Sequence, residues 1–234
     1  MNSLVTLKNV TKTYSTGERE FRALDGVDLE IGRGRFVVVL GPSGAGKSTL
    51  LNLIGGMDIP TSGKILVDGK DISDYKENDL SRYRAETVGF IFQFYNILPT
   101  LTVLENVELV KDIAKNTLDA HEAIARVGLS EHENKFPSQL SGGEQQRVSI
   151  ARAVAKNPKI LLCDEPTGAL DSVTGVEVLQ LLMDQCRKSG TTVIVVTHNS
   201  LFADIADTVM RVKNGKITSV TDNPAPKSIE EVEW

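Results

Sequence analysis

The stretch RFVVVLGPSGAGKSTLLNLIGG (residues 35–56) constrains the fold of this chain more than any other. A short apolar run passes directly into glycines, a lysine and a helix-forming segment, so it reads as strand, loop, helix. Its centre, GPSGAGKS (residues 41–48), fits G-x-x-x-x-G-K-[ST] without deviation. Glycines let successive backbone N–H groups wrap around phosphates. The lysine reaches the β and γ oxygens, and the serine hydroxyl is suited to ligating Mg²⁺.

The rest of the chain continues the alternation. LVTLKNVTKTY and FRALDGVDLEI read as strands, and GKILVDGK as another closed by an Asp-Gly turn. From about Leu98 to Phe136 the sequence becomes helical and more polar, as expected of an inserted subdomain. KILLCDE and TTVIVVTH are continuous apolar runs of the kind buried on both faces in parallel sheets. A helix from Ser172 to Lys188 lies between them, and a short helix and a hairpin around VKNGKI follow. The expected class is α/β: a P-loop NTPase core with a mostly parallel sheet, an N-terminal antiparallel β subdomain and a helical subdomain inserted at about 98–155. Residues 1–220 form one domain. Residues 221–234 carry two prolines and four acids and read as a loosely held tail, with Trp234 as its candidate anchor.

A net charge of −5 argues against nucleic acid as a principal partner. Cys163 and Cys186 are too few and too far apart for a disulfide framework and read as reduced thiols of a cytosolic protein. The apolar runs fall far short of the roughly 18 residues of a membrane span, and no leader pattern opens the sequence. Attachment to a membrane would require another protein.

Three further features bear on chemistry. KILLCDEP ends a buried strand with Asp164, placed to hold Mg²⁺ through water, and Glu165, placed to act as general base on the water that attacks a γ-phosphate. LSGGEQQR (residues 140–147) opens a helix with two glycines, a place where free N–H groups and the helix dipole favour an anion. His198 follows the buried run VIVVT; taken alone, a histidine there is more often structural than catalytic.

Together these features resemble the nucleotide-binding subunits of ATP-binding cassette (ABC) transporters, in order and over almost the whole chain. The motifs are the phosphate loop, the glutamine after VGFIFQ, LSGGEQ, ILLCDE, GALDS and VTHN. The resemblance implies ATP and Mg²⁺ as ligands. It implies nucleotide contacts from Gly41, Pro42, Ser43, Gly44, Ala45, Gly46, Lys47, Ser48 and Thr49. Ser141, Gly142, Gly143 and Gln145 would contact the nucleotide of a second copy. Metal contacts would come from Ser48, Gln93 and Asp164, and catalysis from Glu165, His198, Lys47 and Gln93. Tyr14, otherwise a strand-end aromatic, matches the adenine-stacking position. Asp171 is either a plain helix cap or an element of the interface between copies. His121 and His132 read as surface residues, and Cys163 as a small buried one. Asn199 stands where the family often has Asp.

FQFYNILPTLTVLENV and DEPTGALDS further resemble the MacB, LolD and FtsE branch. That likeness implies a homodimer of cassettes on the cytoplasmic face of the cell membrane, held by an FtsX- or MacB-like permease. The cargo would be peptides, antibiotics or lipoproteins, or the output a mechanical motion. Two alternatives are a soluble ABC ATPase acting on DNA or ribosomes and a pseudo-enzyme that only binds ATP. The short spacing between the phosphate loop and LSGGEQ, without a heptad array, opposes the DNA-repair form. Intact Lys47, Asp164, Glu165 and His198 oppose the pseudo-enzyme.

Overall fold

The computed structural model describes residues 3–17 and 19–232. Strands β1 (Ser3–Thr16) and β2 (Arg19–Gly32) pair antiparallel, and β4 (Ser62–Val67) and β5 (Lys70–Asp71) extend them into a four-stranded sheet of order β2-β1-β4-β5. The turn before β5 places Asp68 and Gly69 at φ 51° and 76°, the left-handed pair expected of Asp-Gly. The larger sheet has the order β10-β9-β3-β8-β7-β6. It comprises β3 (Phe36–Leu40), β6 (Val88–Phe92), β7 (Ile160–Asp164), β8 (Thr192–Thr197), β9 (Thr208–Lys213) and β10 (Lys216–Asp222). Every pairing in it is parallel except β9–β10.

Strand alternation divides the core in two. Val37, Val39, Leu162, Ile194 and Val196 face the small sheet and helix α1 (Lys47–Ile54). Val38, Leu40, Leu161, Cys163, Val193 and Val195 face α5 (Gly142–Ala155) and α6 (Ser172–Ser189), with the short helices α3 (Val103–Glu108) and α4 (Ala120–Arg126) outside them. Helices α3, α4 and α5 lie between residues 103 and 155. Helix α2 (Glu77–Thr87) had no place in the sequence reading; only Leu80 and Tyr83 are buried on it, too sparse a stripe to read as periodic. Among the described residues no helix is long and apolar enough to cross a membrane.

The tail differs from expectation. β10 extends to Asp222, and the chain then returns over the short helix α7 (Phe202–Ile205), where Lys227 N–H donates to the Asp204 carbonyl at 2.9 Å. A capping box between Ser228 and Glu231 follows, and Ile229 and Val232 enter the core beside α6. The prolines and acids suggested a loose end, but two apolar side chains hold it down. Trp234 lies outside the described residues.

Candidate nucleotide site

β3, β8, β7 and β6 are neighbours and parallel, so the loops leaving their C-terminal ends converge on one edge of the sheet. They enclose a cavity of about 610 Å³. Ser43, Gly44, Lys47 and Ser48 line it from the loop after β3, Gln93 from that after β6, Asp164 and Glu165 from that after β7, and His198 from that after β8. These eight of the residues singled out in the sequence thus line one cavity.

The phosphate loop owes its glycines to two constraints. Gly44 sits at φ 75° with open space around it, so there the need is conformational. Gly41 is packed so closely that a Cβ would lie 2.2 Å from the Val212 carbonyl oxygen, an approach only glycine permits. Helix α1 then begins without an acidic residue in its first turn, leaving its positive end free for an anion. Lys47 Nζ curls over the loop, donating to the carbonyls of Gly41 at 2.8 Å and Pro42 at 3.1 Å.

Asp164 closes β7, and burial pushes its carboxyl above the ordinary carboxylate range, against opposing pulls from the Ser48 hydroxyl and Lys47. Glu165 stands at φ 49°, in a region L-residues seldom occupy. Its N–H donates to the Val196 carbonyl at 2.9 Å. Thr197 Oγ1 donates to Oε2 at 3.0 Å, and His198 Nδ1 lies 2.9 Å from Oε1. The Ser48 hydroxyl, the Gln93 carboxamide oxygen and the Asp164 carboxylate form an all-oxygen donor set, the chemistry that suits Mg²⁺ supplemented by water. Among the described residues no three His, Cys, Asp or Glu side chains cluster to hold a metal, so any ion here depends on the serine and glutamine oxygens.

Tyr14 stands apart from the cavity lining, beside Thr49. Its hydroxyl donates to Asp58 at 2.8 Å, and Lys12 Nζ lies 4.9 Å from the ring centroid, covering one face. Burial, then the Asp58 carboxylate, raises its hydroxyl pKa.

None of Ser141, Gly142, Gly143 and Gln145 lines the cavity of its own chain. Ser141 caps α5 in a reciprocal box with Glu144, its Oγ accepting from the Glu144 N–H at 3.3 Å. The glycines answer to packing: a Cβ on Gly143 would meet Thr174 Cγ2 at 2.1 Å, and one on Gly142 the Tyr95 hydroxyl at 2.7 Å. Gln145 Nε2 turns inward to the Pro137 and Leu140 carbonyls at 3.1 and 3.2 Å. Asp171 is the N-cap of α6, accepting from the N–H and hydroxyl of Thr174 at 3.0 and 2.7 Å. Thr174 therefore brings together the start of α5 and the start of α6.

Several residues escaped the sequence reading. Phe92, Phe94, Asn96 and Val196 line the cavity, flanking recognised positions without a signal of their own. His132 is more than a surface residue: its Nε2 lies 2.9 Å from Glu144 Oε1, bracing the capping box from outside. Asn199 shapes the turn into α7, its N–H donating to Thr197 Oγ1 at 3.1 Å and its Oδ1 accepting from Leu201 N–H at 3.0 Å.

The ABC transporter family model matches residues 24–168. A putative ABC transporter ATP-binding protein of Mycoplasma pneumoniae is 44 % identical over 99 % of this chain, which spans only 50 % of that relative. The macrolide export ATP-binding/permease protein MacB of Campylobacter fetus is 46 % identical over 93 % of the chain, which spans 35 % of MacB. Among solved structures, a dimeric post-hydrolysis state of the ATP-binding cassette MJ0796 bound to ADP and Pi superposes with a TM-score of 0.85 at 43 % identity, covering 93 % of this chain and 98 % of that one. The chain belongs to the ABC transporter family, as an ATP-binding and ATP-hydrolysing cassette.

Proposed function

We propose that two copies of this cassette close head to tail around two ATP molecules, and that closure drives a MacB- or FtsX-like permease at the cytoplasmic face of a membrane. The observation that carries the reading is the separation within one chain. The cavity holds the phosphate loop, Glu165 and His198, while the capped, exposed Ser141 lies outside it. Ser141 Oγ accepts from the Glu144 N–H, and its O–H, which here also meets the Glu144 carboxylate, can turn to donate to a γ-phosphate on the partner's side. The cassette solved as a dimer with ADP and Pi, and the fusion of cassette to permease in MacB, support the same arrangement.

In each site the loop N–H groups and Lys47 bind the β- and γ-phosphates, and the free face of Tyr14 takes the adenine. Glu165 accepts a proton from the attacking water as its oxygen bonds to the γ-phosphorus and the bridging P–O bond to ADP breaks. His198 contacts the γ-phosphate and orients Glu165. Ser48, Gln93 and Asp164 would hold Mg²⁺, which when bound neutralises phosphate charge.

The permease docks beside Gln93. Phe94 and Leu98, on the loop that follows it, are 75 % and 45 % exposed, an apolar surface of the kind a partner helix covers. The cargo is a peptide, an antibiotic or a lipoprotein.

Glu165→Gln tests the core of this reading. With ATP and Mg²⁺ the variant accumulates as a dimer by light scattering; a variant that binds ATP yet stays monomeric overturns it. Pull-down of ribosomes or DNA in place of a membrane subunit overturns the permease assignment.

A further inference from the structure

Gln146 lies one turn into α5 and is 0 % exposed. Its Nε2 donates to the Pro166 carbonyl at 2.7 Å and to the Phe92 carbonyl at 3.4 Å. Both neighbours are carbonyl oxygens, so only the NH₂ end of the carboxamide fits there. Pro166 immediately follows Glu165, and Phe92 immediately precedes Gln93. One buried amide group therefore spans the two loops that carry the carboxylate and the amide of the nucleotide cavity.

The loop it holds is under backbone constraint. Glu165 keeps φ 49° with its N–H bound to the Val196 carbonyl and its own carbonyl accepting from Gly168 N–H at 3.0 Å. Gln146 fixes the next carbonyl along. Gly168 in turn packs on the Gln93 side chain, where a Cβ would come within 3.0 Å of Nε2. The two loops thus touch one another and share a buried hydrogen-bonding anchor on the helix that opens at Ser141.

We propose that Gln146 is a positioning residue for hydrolysis, holding Glu165 and Gln93 in register with the start of α5. This rests on the reading of Glu165 as the hydrolytic carboxylate and of the head-to-tail pair. In that pair the start of α5 serves the partner's nucleotide and Glu165 serves its own. Gln146 makes the two half-sites of one copy move as one body, so engagement of one site sets the carboxylate of the other.

Gln146→Met in the full chain keeps length and volume and removes both donated bonds. Expected is a fall in kcat of about tenfold or more with KM for ATP within about twofold, because ~1 Å of misplacement from a remote change can cost ~100-fold in rate. Gln146→Asn keeps the amide but is too short to span both carbonyls, and lowers kcat in the same way. Val148→Ala, which opens a cavity on the core-facing side of the same helix and touches neither donated bond, controls for lost stability and retains kcat at a comparable drop in Tm. Either Gln146 variant retaining kcat within about twofold overturns the proposal, as does an equal kcat loss in Val148→Ala. Glu165→Gln run alongside separates the failures. Turnover surviving in it removes the role of Glu165, whereas its loss beside an active Gln146→Met removes only the role of Gln146.

Discussion

His198 Nδ1 and Glu165 Oε1 lie 2.9 Å apart, while Thr197 Oγ1 occupies Oε2 from the same strand end. Both oxygens of the carboxylate are thus engaged within the chain that carries it. On the proposed reading a bound γ-phosphate offers His198 another acceptor, and turning to it leaves Oε1 more open to a water molecule. His198→Ala is therefore expected to keep nucleotide affinity and lose about 10²-fold in turnover, the lower range for a group assisting proton transfer. Fluorescent nucleotide titration and steady-state hydrolysis measure the two separately, and parallel losses in both would contradict the pairing.

Asp164 gives a case in which function and stability oppose one another. Burial raises its carboxyl pKa, so the folded state binds its proton more tightly than the unfolded chain does. Stability without nucleotide then declines as pH rises from the ordinary aspartate value through the raised one, and the cost persists at neutral pH. Asp164→Asn removes that cost and should raise the Tm of the nucleotide-free protein, by about 2–4 °C for each kcal/mol recovered. The same variant should lose most hydrolysis and the added stabilisation that ATP with Mg²⁺ confers on the native chain. Calorimetry with and without nucleotide tests both halves.

Gly41 and Gly44 share a motif but differ in what an added methyl would meet. At Gly44 the cost is backbone strain at positive φ, about 1–2 kcal/mol. At Gly41 the methyl collides with the Val212 carbonyl, and β9 must shift. Gly41→Ala should therefore be the more destabilising, by about 3 kcal/mol at the upper range for overpacking. Denaturant midpoints of the two alanine variants give the ranking, and the reverse order would discount the contact with β9.

Local spacing explains what was legible in the sequence and what was not. The residues 41–48, the pair Asp164–Glu165 and His198 each announce themselves within a few positions, and parallel strands bring them together because all leave the sheet at the same edge. The hold of Asp58 on Tyr14, of Gln146 on Pro166 and of Val212 on Gly41 spans 20 or more residues in each case and depends on how two elements pack. No periodicity or motif encodes such a contact. The glycines of LSGGEQ show the limit from the other direction: their residue type invited a phosphate, yet Thr174 and Tyr95 already account for the missing side chains within the chain itself.

Asp68 supplies a pH dependence of the opposite sign to Asp164. Lys159 and then Arg33 hold its carboxyl down to about 2, joining the β4–β5 turn to the loops that enter β7 and β3. A depressed folded value means stabilisation that is present above the ordinary 3.8 and lost as pH falls toward 2. Solvent screening at this partly exposed site limits it to about 1 kcal/mol. Asp68→Asn, which tolerates the left-handed backbone, should be less stable by that amount at pH 7 and approach the native chain as pH falls through about 2. Urea unfolding across that range follows the convergence, and a difference independent of pH would assign the loss to the turn.

The closing segment of the chain is expected to contribute to stability despite its composition. Ile229 and Val232 are 4 % and 8 % exposed and fill one wall of an apolar cleft formed with Val127, Val176 and Leu181. Asn223 N–H donates to the Asp207 carbonyl at 2.8 Å, and Lys227 Nζ lies 2.8 Å from the Asp204 carboxylate. The exposed ion pair adds little, so most of the effect should come from the two apolar side chains. Ile229→Ala should cost about 2 kcal/mol, the lower end for such a truncation at the margin of a core. At this chain length that is a fall in Tm of about 4–8 °C. Lys227→Ala should change Tm by about 2 °C or less, as suits a surface pair. A chain ending at Asp222 should lose more than Ile229→Ala, because it also uncovers the cleft. Equal melting of the shortened and full chains would return this segment to the status of a loose tail.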